Sequence, residues 1–187
     1  IATIIVKPQN FVQNPSFEEM DRSMWKIIDP KEQTQYYQSV SDAKTGEYSI
    51  HFWSDQQIQF YVEQEITGLE PGYYTLHGHI QGGDVTSSAI HLYAKSSTSK
   101  KEADVELTGW QNWQKPEIEN ILVEDGTVTI GLYVEANAGA WGTIDDFNLH
   151  QVKAIEGPDI DNKEEEGSKP NPEKPDDDDI PTVIKIE

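Results

Sequence analysis

Between residues 1 and 155 apolar and polar side chains alternate with period two in one segment after another, and no stretch holds a long helical period. In Tyr48–Trp53, Tyr48, Ile50 and Phe52 share one face, with Ser49, His51 and Trp53 on the other. Ile58, Phe60, Val62 and Ile66 fall together on a face that also carries Gln64. Tyr74, Leu76 and Ile80 alternate with Thr75, His77, His79 and Gln81, and Ile90, Leu92 and Ala94 with His91, Tyr93 and Lys95. Val128, Ile130, Leu132 and Val134 repeat the pattern, and Ile144–Leu149 reads as a short closing strand. Lys44-Thr45-Gly46, Glu70-Pro71-Gly72, Gln81-Gly82-Gly83-Asp84 and Glu124-Asp125-Gly126 supply turns between them. Many short strands separated this way predict an all-β fold, an antiparallel β-sandwich.

From Glu156 onward the material changes. Residues 156–187 hold 12 acidic and 4 basic residues, five of the ten prolines and no aromatic residue. Like charges repel in Glu164-Glu165-Glu166 and Asp176–Asp179, and the stretch lacks apolar surface to offset a backbone entropy of roughly 1–2 kcal/mol per residue. It is expected to be an acidic Pro-rich linker, with Pro181–Ile186 as a possible first strand of a further domain. The chain carries a net charge of −20 and no cysteine. That excludes a disulfide framework and thiol chemistry, and argues against phosphate backbones and anionic lipid as partners. No apolar run is long enough to span a bilayer. The opening Ile1-Ala2-Thr3, without Met, reads as a fragment or mature piece of a longer, secreted protein.

Function is expected on the outward faces. Indole rings offer flat apolar plates for the C–H face of a sugar, and neighbouring amides and imidazoles can bond its hydroxyls. Trp53 ends an outer face, while Trp110-Gln111-Asn112-Trp113 lies in a polar segment between strands. Trp53, Trp110 and Trp113 are the expected plates, with His79, Gln81, Tyr93 and Asn137 as hydroxyl partners. Trp25 and Trp141, close to strand ends, read as packing residues. His51, His77, His79 and His91 all fall on outer faces; a transition-metal site is possible there, but hydrogen bonding to a polar ligand is the simpler reading. Asp145-Asp146 is the most pointed acidic pair, and adjacent strand residues point to opposite faces, which argues against a shared acid–base dyad.

The motif order resembles a known group. Asn14-Pro15-Ser16-Phe17-Glu18, Thr45–Ile50, Val62–Ile66 with Leu69–Tyr74, and Trp141-Gly142-Thr143-Ile144-Asp145-Asp146-Phe147-Asn148-Leu149 resemble calcium-stabilised jelly-roll carbohydrate-binding modules. Tyr74–Asp84, Gly109–Gln114 and Asp125–Gly131 are similar to family 61 of these modules, which are attached to bacterial family 53 endo-β-1,4-galactanases. The resemblance spans roughly residues 11 to 151. It implies a jelly roll, a non-catalytic role, β-1,4-galactan as ligand and a catalytic domain in the same polypeptide. It also implies structural calcium (Ca2+), held by the side chains of Glu18 and Asp145, with Asp146 as the alternative, and by backbone carbonyls near Lys44.

The expectation is thus a monomeric extracellular bacterial module, residues 1–155, that targets a glycoside hydrolase to pectic galactan. Competing readings are a same-fold module for xylan or β-glucan, a small hydrolase or lyase, and a structural spacer.

Overall fold

A computed structural model of the chain describes residues 7–155. The expected linker and the Pro181–Ile186 strand lie outside the described residues. Among the described residues there is no helix, and none is therefore long and apolar enough to cross a membrane. The strands are β1 (Lys26–Ile28), β2 (Thr34–Gln38), β3 (Tyr48–Trp53), β4 (Ile58–Ile66), β5 (Gly72–Gly83), β6 (Ser88–Lys95), β7 (Lys100–Asp104), β8 (Gly109–Gln114), β9 (Glu117–Val123), β10 (Val128–Ala136) and β11 (Trp141–Ala154).

They form two antiparallel sheets: a five-stranded one in the order β1-β4-β10-β6-β7, and a six-stranded one in the order β2-β3-β11-β5-β8 with β9 also paired to β5. The alternation dictates how they stack. Ile50, Phe52, Leu76, Ile80, Ile144 and Leu149 of the second sheet are buried, as are Phe60, Val62, Leu92, Ile130, Leu132 and Val134 of the first. Each sheet thus turns its apolar side inward, as a sandwich requires. Gln64 breaks the apolar set of β4 for a reason. Its side chain accepts from the Gln13 amide (2.8 Å) and donates to the Gln13 carbonyl (2.9 Å), which pins the incoming segment as a ladder would.

The Asn14–Glu18 motif closes the sandwich. Asn14 and Phe17 both adopt positive φ (45° and 63°), a bend that drives the Phe17 ring into the core. There it meets Trp25 at 5.1 Å and Phe147 at 6.3 Å between centroids. Trp25 is 5% exposed and donates its indole N–H to the Asn14 carbonyl, so it packs as expected.

Two expectations need correction. The closing strand is not short: β11 starts at Trp141, runs 14 residues and pairs with β5 along its length. Trp110–Trp113 does not lie between strands but forms part of β8, an edge strand with no buried residue and so no alternation to read.

Candidate functional site

Strand register carries one row of aromatic residues across the solvent side of the six-stranded sheet. Trp53 on β3 stands opposite Trp141 on β11, and Trp141 stands opposite Gly83 on β5. A Cβ on Gly83 would lie 3.0 Å from the Trp141 ring, so the missing side chain leaves room for the indole over β5. On the far side, Trp110 of β8 meets Trp141 at 6.2 Å between ring centroids, with the planes inclined at 47°. Trp53 and Trp110 are 55% and 49% exposed, far more than an indole placed for packing. The Trp141 indole N–H donates to Asp84 Oδ2 at 2.9 Å, which fixes the ring.

Polar groups line the same face. Beside Trp53 a hollow of about 300 Å³ is lined by residues including Thr34, Gln35 and His51. Gln35, His51, Thr143 and Gln81 form the next row. Tyr37 and His51 rings lie 5.5 Å apart, and Tyr37 is exposed. Burial holds the His51 imidazole below its ordinary pKa, so it presents a neutral donor and acceptor at neutral pH.

The predicted sugar residues do not all meet here. Trp53 and Trp110 belong to the row. Trp113 follows on β8; its neighbour Gln114 pairs with Ile80, which by alternation turns Trp113 to the solvent side. His79 shares the face, half-buried, its Nδ1 3.1 Å from the Asp146 carbonyl and its pKa lowered by burial. Gln81 is fully buried, accepting from the Gln111 amide and donating to the Asp42 carbonyl, so its role is to hold β8 and the 39–46 loop. Asn137 accepts from the Thr86 and Ser87 amides and donates to the Asp84 and Ala138 carbonyls. Its amide has no capacity left for a sugar, and it acts by securing the Asp84 loop that holds Trp141. Tyr93 lies on the outer face of the other sheet, on β6 beside β10.

Trp141, read from the sequence as a packing residue, and Asp84, read only as a turn residue, were missed as members of this face. Counting back by twos from Asp145, on the side opposite the core residue Ile144, was the available signal for Trp141. The histidines divide too: His51, His77 and His79 stand on one sheet and His91 on the other, and among the described residues no three or more His, Asp or Glu converge as metal ligands.

The acidic residues meet at one turn. Asp145 Oδ2 accepts from the Lys44 and Thr45 amides (2.7 and 3.1 Å), and Glu18 Oε1 accepts from the Glu47 and Tyr48 amides (2.9 and 2.8 Å). Asp146 does not point away as strict alternation predicts. A bulge follows Asp145 in the ladder with β5, Asp146 takes φ 51°, and its carboxylate accepts from the Thr45 hydroxyl at 2.7 Å. Asp145 is wholly buried, and desolvation pushes its carboxyl up to about 7.

No protein-family model matches the chain, and no curated sequence does either. Solved structures do. TmCBM61 in complex with beta-1,4-galactotriose is 35% identical, with a TM-score of 0.71, over 77% of this chain and 99% of that one. The CBM22-1 xylan-binding domain of Paenibacillus barcinonensis Xyn10C is 15% identical (TM-score 0.54; 81% and 100% covered), and a family 16 carbohydrate-binding module is 14% identical (TM-score 0.53; 76% and 100% covered). The last two share the fold alone. With 35% sequence identity to TmCBM61 and 99% of that module covered, the chain belongs to family 61 of the carbohydrate-binding modules.

Proposed function

We propose that residues 7–155 bind β-1,4-galactan, without cleaving it, on the row Trp53–Trp141–Trp110. The observation that carries this is the 47° tilt between the exposed Trp110 indole and the half-buried Trp141 indole beside it. Galactose has an axial 4-hydroxyl, so a β-1,4-linked chain curls, and plates inclined to each other follow a curl where coplanar ones follow a ribbon. The polar residues beside Trp53 then face the hydroxyls. The galactotriose named with TmCBM61 supports the same ligand.

The module is read as the extracellular targeting part of a glycoside hydrolase that acts on pectic galactan, joined through the acidic 156–187 segment and working as a monomer. Its benefit is effective concentration, since tethering raises apparent affinity without new contacts. Structural calcium fits the residues present. A buried Asp145 whose carboxyl is raised to about 7 receives only backbone amides, and Glu18 reaches the same turn. Glu18, Asp145 or Asp146, and the Lys44 carbonyl would hold the ion, which would fasten the 44–48 turn to β11.

Calorimetric titration with β-1,4-galactan oligosaccharides, against xylan and β-glucan oligosaccharides, tests the reading. Heat with galactan alone, lost in Trp110→Ala, is expected. Heat with a control glycan instead overturns the ligand, and silence with all of them favours a spacer.

A further inference from the structure

Strand β5 carries His77 and His79 two residues apart, so both imidazoles stand on the solvent side of the six-stranded sheet. Their ring centroids are 5.7 Å apart, with the planes inclined at 84°. A carbonyl can only accept, so the His79 Nδ1, 3.1 Å from the Asp146 carbonyl, carries the ring proton and Nε2 keeps its lone pair. Burial lowers the pKa of both histidines, that of His77 to about 4, so both rings are neutral at neutral pH. His77 Nδ1 is buried and has no hydrogen-bond partner among the described residues. Glu117 of β9 stands opposite His77 in the ladder, and its Oε2 stops 4.0 Å from that nitrogen.

Folded proteins leave few buried polar atoms unmatched, and such an atom calls for an explanation. A backbone carbonyl that fixes one imidazole nitrogen and frees the other is the arrangement that orients a metal-ligating histidine. An ion bonded to two rings at about 2.0–2.1 Å holds their centres about 5 Å apart, which side-chain rotation alone reaches from the observed spacing. Neutral imidazole nitrogens suit Cu2+, Ni2+ and Zn2+, whereas Ca2+ takes oxygen ligands. Lys115 lies near enough to act on both rings and repels a cation, and Glu117 offsets it.

The geometry points to a transition-metal site on β5, in which His77 and His79 chelate one divalent ion of the copper and zinc class. Glu117 lies outside bonding range and turns in from β9 as a third ligand, and water fills the remaining positions. Two imidazoles on one face of one strand form a chelate without closing a loop, so the pair is held in place by the sheet itself. With Glu117 engaged, the ion also fastens β9 to β5. The site lies four residues along β5 from Gly83, and its nitrogen ligands set it apart from the acidic turn at Asp145.

Copper(II) titration of the full chain, in excess calcium to occupy the carboxylates, tests this by amide NMR and electron paramagnetic resonance. Line broadening centred on His77, His79 and Glu117 is expected, with nitrogen couplings from two imidazoles. His77→Asn and His79→Asn should each weaken copper binding about tenfold or more, and His91→Asn should leave it unchanged. Zinc should raise the melting temperature of the wild type and not that of His77→Asn. Broadening confined to residues 156–187 or to the acidic turn, with both β5 variants binding as wild type, overturns the site. Coupling to a single imidazole, or broadening centred on His51 or His91, overturns the chelate as well. The wild-type spectra decide the matter even where a variant fails to fold.

Discussion

Gly83 and Gly131 perform the same service on opposite sheets. Each leaves an empty place on a central strand, and an aromatic ring from the neighbouring strand leans across it. Gly83→Val should push Trp141 off its tilt toward Trp110 and lower galactan affinity about tenfold, or 1.4 kcal/mol, with the melting temperature little changed; calorimetry and thermal unfolding together check it. Asn137→Ala should behave differently. Removing an amide that serves two backbone donors and two carbonyls costs about 1–3 kcal/mol of stability, read as a lower denaturant midpoint. A sugar contact at Asn137 would instead show as lost affinity at unchanged stability. Neither glycine's role was legible in the sequence, because a missing side chain signals nothing until the register names what lies beside it.

At the scale of elements, the strands with one apolar face were legible, β3, β4, β6 and β10 to within a residue or two. β1, β2, β7 and β8 were not. Segments such as Thr34–Gln38 and Lys100–Asp104 sit at or near sheet edges, bury little, and carry polar residues on both faces. Hydrogen bonding to a neighbour makes them strands, and no periodicity records that. The bulge in β11 was equally hidden, yet it is what brings Asp145 and Asp146 to one turn. With structural calcium bound there, a chelator should lower the melting temperature by several degrees, and Asp145→Asn should abolish the difference between calcium-loaded and chelated protein. Identical melting curves for wild type with and without chelator would remove the ion from the fold.

For the whole molecule, the sandwich and its family were readable, but not which outward residues share a face. Tyr93 and Trp53 look alike as outward residues of alternating strands, and only the pairing of sheets sends them to opposite sides. The histidines of the six-stranded sheet have a collective effect. Burial lowers the His51 and His77 pKa values, that of His77 to about 4, and His77 Nδ1 has no hydrogen-bond partner. From about pH 6.5 down to 4 these histidines bind protons in the unfolded chain that they refuse in the folded one, and their contribution to stability falls as pH falls through that window. His77→Asn should flatten the loss in urea titrations at pH 7 and 4.5. The comparison isolates His77 from Asp145, whose raised carboxyl titrates with the opposite sign.

β11 joins these scales. It opens at Trp141 in the tryptophan row and closes at Ala154, roughly 40 Å away along the strand. The Phe11 amide bonds the Leu149 carbonyl and the Ile155 amide bonds the Pro71 carbonyl, so the described chain enters and leaves toward the end remote from Trp141. With a sugar held at Trp141, a pull on the chain beyond Ile155 runs along this one strand. It loads the ladder to β5 in shear, many bonds together, instead of peeling them singly. The strand that carries Trp141 would therefore also be the tension member of the module, suited to keep a grip on a polymer that drags.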